Sequence, residues 1–342
     1  MVDLGYAYAN ARVKAMRSKL FDRDRIRELM DVRSLSEVVE MLEESPYKKS
    51  FVKASTRYSG LELVKHALDD ELKTTFHTVW KFAPSKARPL LALLLKQWEV
   101  NNLKKAIAAK ALGRNLSLSD FLLVEGEDAK LLEKVVAQED LKGIAQALAR
   151  SEYGPAFAKS FAEYEKSKDF RVLLSCLDEH YFARLSKEVS QGKLDAKTRN
   201  FLAKKLEYSQ AIAILRMRHS GMRQEDAKKF LERNSFGKPS SLLRKMVEAE
   251  TEKDALEILA TDKKVDGKAV LAAKDLPGVE VELEKALLIY ARKTLSSSVL
   301  SLGAVVGYLY LKQEEVHSLR KIAYATQFDI KQEIRQTVLA AV

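Results

Sequence analysis

One helical phrase occurs three times in this chain at a constant spacing, and this repeat restricts the fold more than any other feature. The copies KQWEVNNLKKAIAAK, KKLEYSQAIAILRMR and KQEEVHSLRKIAYAT begin at Lys96, Lys204 and Lys312, each 108 residues after the one before. Their apolar columns fall at positions i, i+3 and i+7, which is one face of an α-helix. We therefore predict one core helix built three times, and its predicted core residues are Val100, Leu103, Ile107, Tyr208, Ala211, Leu215, Val316, Leu319 and Ala323.

The similarity extends upstream of the phrases. SEVVEMLEESPY from Ser36 resembles KGIAQALARSEY from Lys142 and KDALEILATDKK from Lys253. Between these blocks and the phrases, HALDDEL, SCLDEHY and KALLIYA align as parts of a longer helix. Each unit is therefore expected to contain a short helix pair followed by two longer helices, as in arrays whose neighbouring repeats bury faces on one another.

The predicted fold is all-α, with three tandem similar domains. Their predicted boundaries are 1–113, 114–221 and 222–342. The chain is poor in Pro and Gly and rich in strong helix formers, and no useful length of it alternates with period two. Gly113 and Gly221 align after the first two phrases, and Asp329 takes their place after the third. Both glycines are predicted to be helix C-caps that need a positive φ.

The sequence shows no constellation of residues that predicts catalysis. Its five histidines lack the spacing of metal ligands, and no Gly-rich phosphate loop occurs. The single cysteine, Cys176, lies in an apolar stretch and is interpreted as a buried small residue in a reducing compartment. Glu99, Glu207 and Glu315 recur in the phrases, but a structural role explains them, either pairing with the Lys three residues earlier or satisfying groups near a kink. We therefore expect no enzymatic activity, no cofactor and no metal site.

The net charge of +11 favours acidic partners or an anionic surface, and most of it belongs to the first third of the chain. Residues 1–113 hold 21 basic and 14 acidic residues, a net charge of +7. Two interpretations stay open, a solvated helix face and a surface that meets a partner. The candidate partner-facing residues are Arg12, Lys14, Arg17, Lys19, Arg23 and Arg25.

Residues 294–311 carry no charge over 18 positions and contain a Gly303-x-x-x-Gly307 spacing. That length is at the lower limit for a helix that spans a membrane. Five of these residues are Ser or Thr, however, so we predict a helix buried in the third domain instead. The opening MVDLGYAYANARVKAM lacks a long apolar core, and no signal peptide is expected there.

Three stretches in order resemble the C-subunit family of archaeal-type (A-type and V-type) rotary ATPases, whose eukaryotic counterpart is the d subunit. YAYANARVKAMRSKL from Tyr6 is similar to the family's opening. WEVNNLKKAIAAK from Trp98 resembles its Trp-acid-x-x-Asn-Leu-Lys signature, and GYLYLKQEEVHSLRKIAY from Gly307 resembles its closing block. The resemblance covers the whole chain, and the triplication belongs to it.

The resemblance implies a funnel of three helical domains about a pseudo-threefold axis, without enzymatic activity. It implies a place on the cytoplasmic side of the cell membrane, as a peripheral protein on the rotor ring of proteolipid subunits. The tip of the central stalk, subunits D and F, would be held in the funnel, which links ATP synthesis or hydrolysis to H⁺ or Na⁺ transport. Contact with the membrane surface is expected, and nucleic acid is not an expected partner. The alternative is a basic helical-repeat scaffold that binds nucleic acid or another protein.

Overall fold

The computed structural model describes residues 4–121, 127–190, 194–234, 239–330 and 338. All regular secondary structure in these ranges is helical, which confirms the predicted all-α class. Seventeen α-helices lie in the described residues, and two short 3₁₀ helices at Ser85–Ala87 and Leu118–Asp120 accompany them.

The α-helices differ in length in the way that the repeat predicts, with short helices between long ones. The helices up to residue 136 are α1 (Leu4–Arg17), α2 (Arg23–Asp31), α3 (Leu35–Glu43), α4 (Lys48–Ser55), α5 (Gly60–Phe82), α6 (Arg88–Ala111) and α7 (Glu127–Val136). Those that follow are α8 (Leu141–Leu148), α9 (Gly154–Ser167), α10 (Arg171–Ser190), α11 (Ala196–His219), α12 (Gln224–Asn234), α13 (Ser241–Glu248), α14 (Glu252–Ala260), α15 (Gly267–Ala272), α16 (Leu276–Ser297) and α17 (Gly303–Gln327). The three phrases lie on α6, α11 and α17, which are among the longest helices.

The three phrase helices end in the same way. Gly113 has φ 67°, Gly221 has φ 72° and Asp329 has φ 55°, so all three adopt the left-handed conformation after the last helical turn. In each case the next residue donates its backbone N–H to a carbonyl five positions back, namely Arg114 to Ala109, Met222 to Met217 and Ile330 to Ala325. The predicted glycine C-caps are confirmed, and the aspartate performs the same role at the end of α17.

The starts of three short helices are equivalent as well. The side chains of Ser34, Asp140 and Thr251 each cap α3, α8 or α14 by accepting the backbone N–H of the residue three positions later. An N-cap of this kind satisfies one of the backbone N–H groups that the first helical turn leaves without a partner. The upstream blocks that resemble each other in sequence thus begin with the same local structure.

The chain divides into two compact units. The first comprises Met1–Ser85, Leu194–Leu231 and Pro239–Val342. Within it, α17 packs against α5, α1, α2 and α3, while α4 packs on α5. In the same unit α11 packs against α16, α13 and α14, and α16 lies along α17. The last phrase helix is therefore paired with the long helix of the first 85 residues.

The second unit comprises Lys86–Lys193 and Glu232–Lys238. Here α6 packs against α10, and α7, α8 and α9 complete the contacts around this pair. Each phrase helix in the chain thus pairs with a long helix from one of the aligned middle blocks, α6 with α10, α11 with α16 and α17 with α5. The first two phrase helices pair with a segment that follows them, whereas the third pairs with one that precedes it by more than 200 residues.

The uncharged run 294–311 is not one helix, which corrects the prediction. The helix α16 ends at Ser297 and α17 begins at Gly303, and between them Val299 and Leu300 are exposed. From residue 302 to residue 311 the run is buried as predicted. A Cβ on Gly307 would lie 2.8 Å from the Ala291 carbonyl oxygen, so the second glycine of the pair permits the close approach of α17 to α16. No helix in the described part of the chain has the length and apolar character that crossing a bilayer requires.

Candidate functional site

The predicted core face of the phrase helices is buried in all three copies. Each of its nine residues has at most 2% of its surface exposed, and all of them except Tyr208 have purely aliphatic side chains. On α6 these residues are Val100, Leu103 and Ile107, on α11 they are Tyr208, Ala211 and Leu215, and on α17 they are Val316, Leu319 and Ala323. The residues predicted from the i, i+3, i+7 pattern therefore all lie in the interior.

A Lys–Glu ion pair recurs at the start of each phrase. The pairs are Lys96–Glu99 (2.5 Å), Lys204–Glu207 and Lys312–Glu315 (3.1 Å), each with i,i+3 spacing on its helix. Every one of these lysines also contacts a second carboxylate that lies outside its own helix. The second partners are Glu152 at 3.1 Å from Lys96, Asp262 at 2.9 Å from Lys204 and Glu71 at 3.6 Å from Lys312. The local pairs were predicted from the sequence, whereas the second partners were not.

The cluster on α17 is the most buried of the three. Only 3% of Lys312 and 6% of Glu315 is exposed. The Glu315 carboxylate accepts the backbone N–H of Phe21 at 2.5 Å and the hydroxyl of Tyr47 at 2.5 Å, in addition to the Lys312 ammonium. The same ammonium lies 3.9 Å from the centre of the Tyr47 ring, within the range of a cation–π contact. Burial and then the Glu315 charge raise the pKa of Tyr47, so its hydroxyl keeps its proton and serves as a donor.

In the cluster on α11, a tyrosine hydroxyl again donates a hydrogen bond to a carboxylate. Tyr208, one of the predicted core residues, donates its hydroxyl to Asp262 at 3.1 Å. Burial alone would raise the pKa of Asp262, but hydrogen bonds from Lys204 and from the backbone N–H of Lys264 outweigh it and hold that pKa below its ordinary value. The carboxylate is therefore ionised at neutral pH and joins α11 to the turn after α14.

In the cluster on α6, several side chains contact the carboxylate of Glu152. This carboxylate contacts Lys96, Arg184 and His180, the last at 3.3 Å from the ring Nε2. Burial and the Lys96 charge lower the pKa of His180, so the ring is predominantly neutral at pH 7. The edge of the Tyr153 ring meets the same imidazole at a centroid distance of 5.0 Å. The ion pair of α6 is thus tied to α9 and α10 in its own unit.

The carboxylates of these clusters are engaged by cationic and hydroxyl partners within the protein itself. No group of three His, Cys, Asp or Glu within the described ranges is arranged to hold a metal ion. Cys176 is buried, and that burial raises the pKa of its thiol to about 11, so it carries little thiolate at neutral pH. The arrangement stabilises helix contacts.

The structure separates the six candidate partner-facing residues into three pairs. Arg12 and Arg25 have partners of their own, since Arg12 lies over the Phe82 ring at 5.3 Å and Arg25 pairs with Glu28 at 2.8 Å. Lys14 and Lys19 are exposed on or just after α1. Arg17 and Arg23 line a cavity together with Arg292 from α16. Sequence analysis missed Arg292, because nothing in the local pattern of α16 connects it with basic residues more than 260 positions away.

The fold and these clusters define an all-α repeat protein whose recurring charged residues hold helices together. Residues 9–337 match the family model described as ATP synthase (C/AC39) subunit, and the chain belongs to that family. It is accordingly an accessory component of a rotary ATP synthase and not its catalytic part.

Individual relatives of this family align with the chain along nearly its full length. The chain is 26% identical to the C subunit of the A-type ATP synthase of Haloferax volcanii over 324 residues, which are 92% of each chain. It is 23% identical to the corresponding C subunit of Methanocaldococcus jannaschii, over 99% of this chain and 88% of the relative. For the C subunit of Pyrococcus abyssi the identity is 26%, over 96% of this chain and 88% of the relative.

Proposed function

We propose that this chain is the rotor socket that couples the central stalk, subunits D and F, to the proteolipid ring in the membrane. Through that coupling it links ATP synthesis or hydrolysis to the transport of H⁺ or Na⁺. The observation that carries the proposal is the triplicated phrase helix in a member of the C-subunit family, with its buried face and its Lys–Glu pair present three times. Threefold internal repetition suits a part that is placed on an axis of rotation.

The proposed arrangement is a funnel of three helical domains, 1–113, 114–221 and 222–342, about a pseudo-threefold axis. The peripheral position on the cytoplasmic side of the cell membrane is part of the same proposal. The equivalent C-caps and N-caps of the repeated helices support three similar domains.

An adaptor between two rotating bodies needs resistance to deformation more than it needs chemistry. Close-packed helices have low compressibility and transmit strain. Each phrase helix of this chain is fixed to its neighbours by an apolar face and by an ion pair with a second carboxylate. Removing one member of the buried Lys312–Glu315 pair is costly, which holds α17 in its arrangement with its neighbours under load.

The first experiment is recovery of partners with the tagged full-length chain from its own membranes in mild detergent. We expect stalk subunits and proteolipid subunits to be retained together, in fixed proportion to the tagged chain. Recovery of the chain with neither group would contradict the proposal, and recovery with nucleic acid in place of both would favour the basic-scaffold alternative.

A second experiment asks whether the basic first third of the chain contributes to assembly. The variant Lys14→Glu/Lys19→Glu changes two exposed side chains on one segment. Charges at the rim of an interface mainly affect association rate and salt dependence. We expect slower assembly with the purified stalk or ring at low salt, and a difference that shrinks as salt is raised. The matched control is Lys159→Glu/Lys166→Glu on α9, where both lysines are also exposed. Equal salt profiles for both variants would assign Lys14 and Lys19 to a solvated face.

A further inference from the structure

A cavity of about 280 Å³ opens where the end of α1, the start of α2, α16 and α17 come together in the first unit. Three of the residues that line it are arginines, Arg17, Arg23 and Arg292. Sites for drug-sized molecules have volumes from about 300 Å³ upwards, so this smaller cavity has room for a small anion or for one chemical group of a larger ligand.

The guanidinium groups of Arg17 and Arg23 are available to bind a ligand. Arg17 and Arg23 are exposed, and neither side chain makes an ion pair or hydrogen bond with another residue that the structure describes. Arg292 is half-buried on α16. Burial lowers the pKa of Arg292, and the positive charge of Arg17, which lines the same cavity, lowers it further. An anion in the cavity would offset both positive charges.

The two carboxylates on the cavity wall already accept hydrogen bonds from groups of the protein. Glu315 accepts hydrogen bonds from Phe21, Tyr47 and Lys312, so its charge is matched by a buried ammonium. Asp22 caps α2 by accepting the backbone N–H of Arg25 at 2.8 Å. With these acids satisfied, the exposed Arg17 and Arg23 give the cavity positive charge that no described carboxylate on its wall matches.

We infer that this cavity binds a phosphate group through Arg17, Arg23 and Arg292. The planar guanidinium fork makes two parallel hydrogen bonds to phosphate oxygens, so Arg17 and Arg23 can hold one anion with several oxygens while Arg292 adds positive charge at the cavity wall. The phosphate can come from inorganic phosphate or from a phospholipid headgroup, and the two sources share this chemistry. The small volume favours such a group over a segment of a partner protein. The inference stands on the cavity alone and is independent of the coupling role proposed above.

The test uses the full-length chain and two probes. Inorganic phosphate is titrated calorimetrically at a fixed ionic strength maintained with sodium chloride. Vesicles of phosphatidylcholine, with and without phosphatidic acid, are tested in parallel by co-sedimentation. We expect saturable binding of phosphate, or of the phosphatidic acid vesicles alone if the source is a lipid. Loss of one charged hydrogen-bond donor weakens such binding by about tenfold or more, and this is the expected change for Arg17→Gln, Arg23→Gln and Arg292→Gln.

The matched control is Lys159→Gln, which removes an exposed positive charge on α9 and does not line the cavity. Arg292→Lys keeps the charge without the fork and should restore binding only in part. Circular dichroism checks that each variant is folded. If substitution of the half-buried Arg292 disrupts the fold, the variants of the exposed Arg17 and Arg23 still test the inference. The inference is overturned if neither probe binds, or if all the variants bind equally to the wild type. It is also overturned if the arginine variants bind both probes normally and lose only assembly with the stalk, since the guanidinium groups would then pair with carboxylates of a partner protein.

Discussion

The hydroxyl of Tyr47 donates a hydrogen bond of 2.5 Å to Glu315, although 268 residues of sequence separate the two. Tyr47 precedes α4 in the first part of the chain, and Glu315 lies on the last phrase helix. Both side chains are buried, and the Lys312 ammonium lies over the same tyrosine ring. This contact closes the first compact unit by joining its first and last segments.

Replacing Tyr47 by Phe tests how much that closure contributes. The change leaves the buried Glu315 carboxylate without one of its donors, and an unsatisfied buried group of this kind costs about 1–3 kcal/mol. We expect a loss of that size in the free energy of unfolding by urea. The control is Tyr324→Phe, since Tyr324 is 58% exposed, and we expect it to change stability by less than about 0.5 kcal/mol. Equal effects of the two changes would mean that the Tyr47 hydroxyl adds nothing.

The Lys312–Glu315 pair should show strong coupling in a double-mutant cycle. Lys312→Met leaves a buried carboxylate and Glu315→Gln leaves a buried ammonium, and breaking a buried pair in this way costs about 3 kcal/mol or more. The double variant removes both charges, while the amide oxygen that Glu315→Gln introduces can still accept the bonds from Phe21 and Tyr47. We therefore expect it to be more stable than the sum of the two losses predicts. Additive losses in urea unfolding would contradict a direct charge interaction.

The contact of α16 with α17 should depend on Gly307 more than on Gly303. A Cβ at Gly307 would meet backbone, 2.8 Å from the Ala291 oxygen and 3.1 Å from the Leu295 nitrogen. At Gly303 the nearest atom would be the Ser298 hydroxyl oxygen at 2.6 Å, which belongs to a side chain that can rotate. Gly307 lies inside α17 and gains helix propensity on substitution by Ala, whereas Gly303 is the first residue of the helix and gains less, so a larger loss at Gly307 must come from packing. We expect Gly307→Ala to cost about 1–3 kcal/mol more in thermal or urea unfolding, and a smaller loss than Gly303→Ala would show that the helices can separate there.

Acid should remove the stabilisation that Asp262 provides. Because its folded pKa lies below the ordinary value of the carboxyl group, the ionised form stabilises the folded protein above an unfolded pKa of about 3.9. That stabilisation is lost as the pH falls through the folded pKa. The difference in unfolding free energy between wild type and Asp262→Asn should thus be constant above about pH 5 and shrink below about pH 4. The exposed Asp24 supplies the control, Asp24→Asn, and the same pH profile for both variants would contradict the prediction.

The sequence by itself determined those features whose causes lie within a few residues along the chain. The helical period decided which residues of α6, α11 and α17 face the interior, and it set the i,i+3 spacing that pairs Lys96 with Glu99. The positive φ of Gly113 and Gly221 also follows from a local requirement at a helix end. The family resemblance rested on the same short motifs, and the family match bears it out.

Only the tertiary structure decided which distant residues meet. The pairing of α17 with α5, the second carboxylates of the three lysines and the place of Arg292 beside Arg17 arise between segments far apart in sequence. The tertiary structure also divided the uncharged run at residues 298–302, although the apolar pattern had predicted one continuous helix there. Local periodicity specifies one face of each helix but not its partner. The partner is selected by the summed packing of many side chains, because individual contacts are weak and only the whole set distinguishes one arrangement from another.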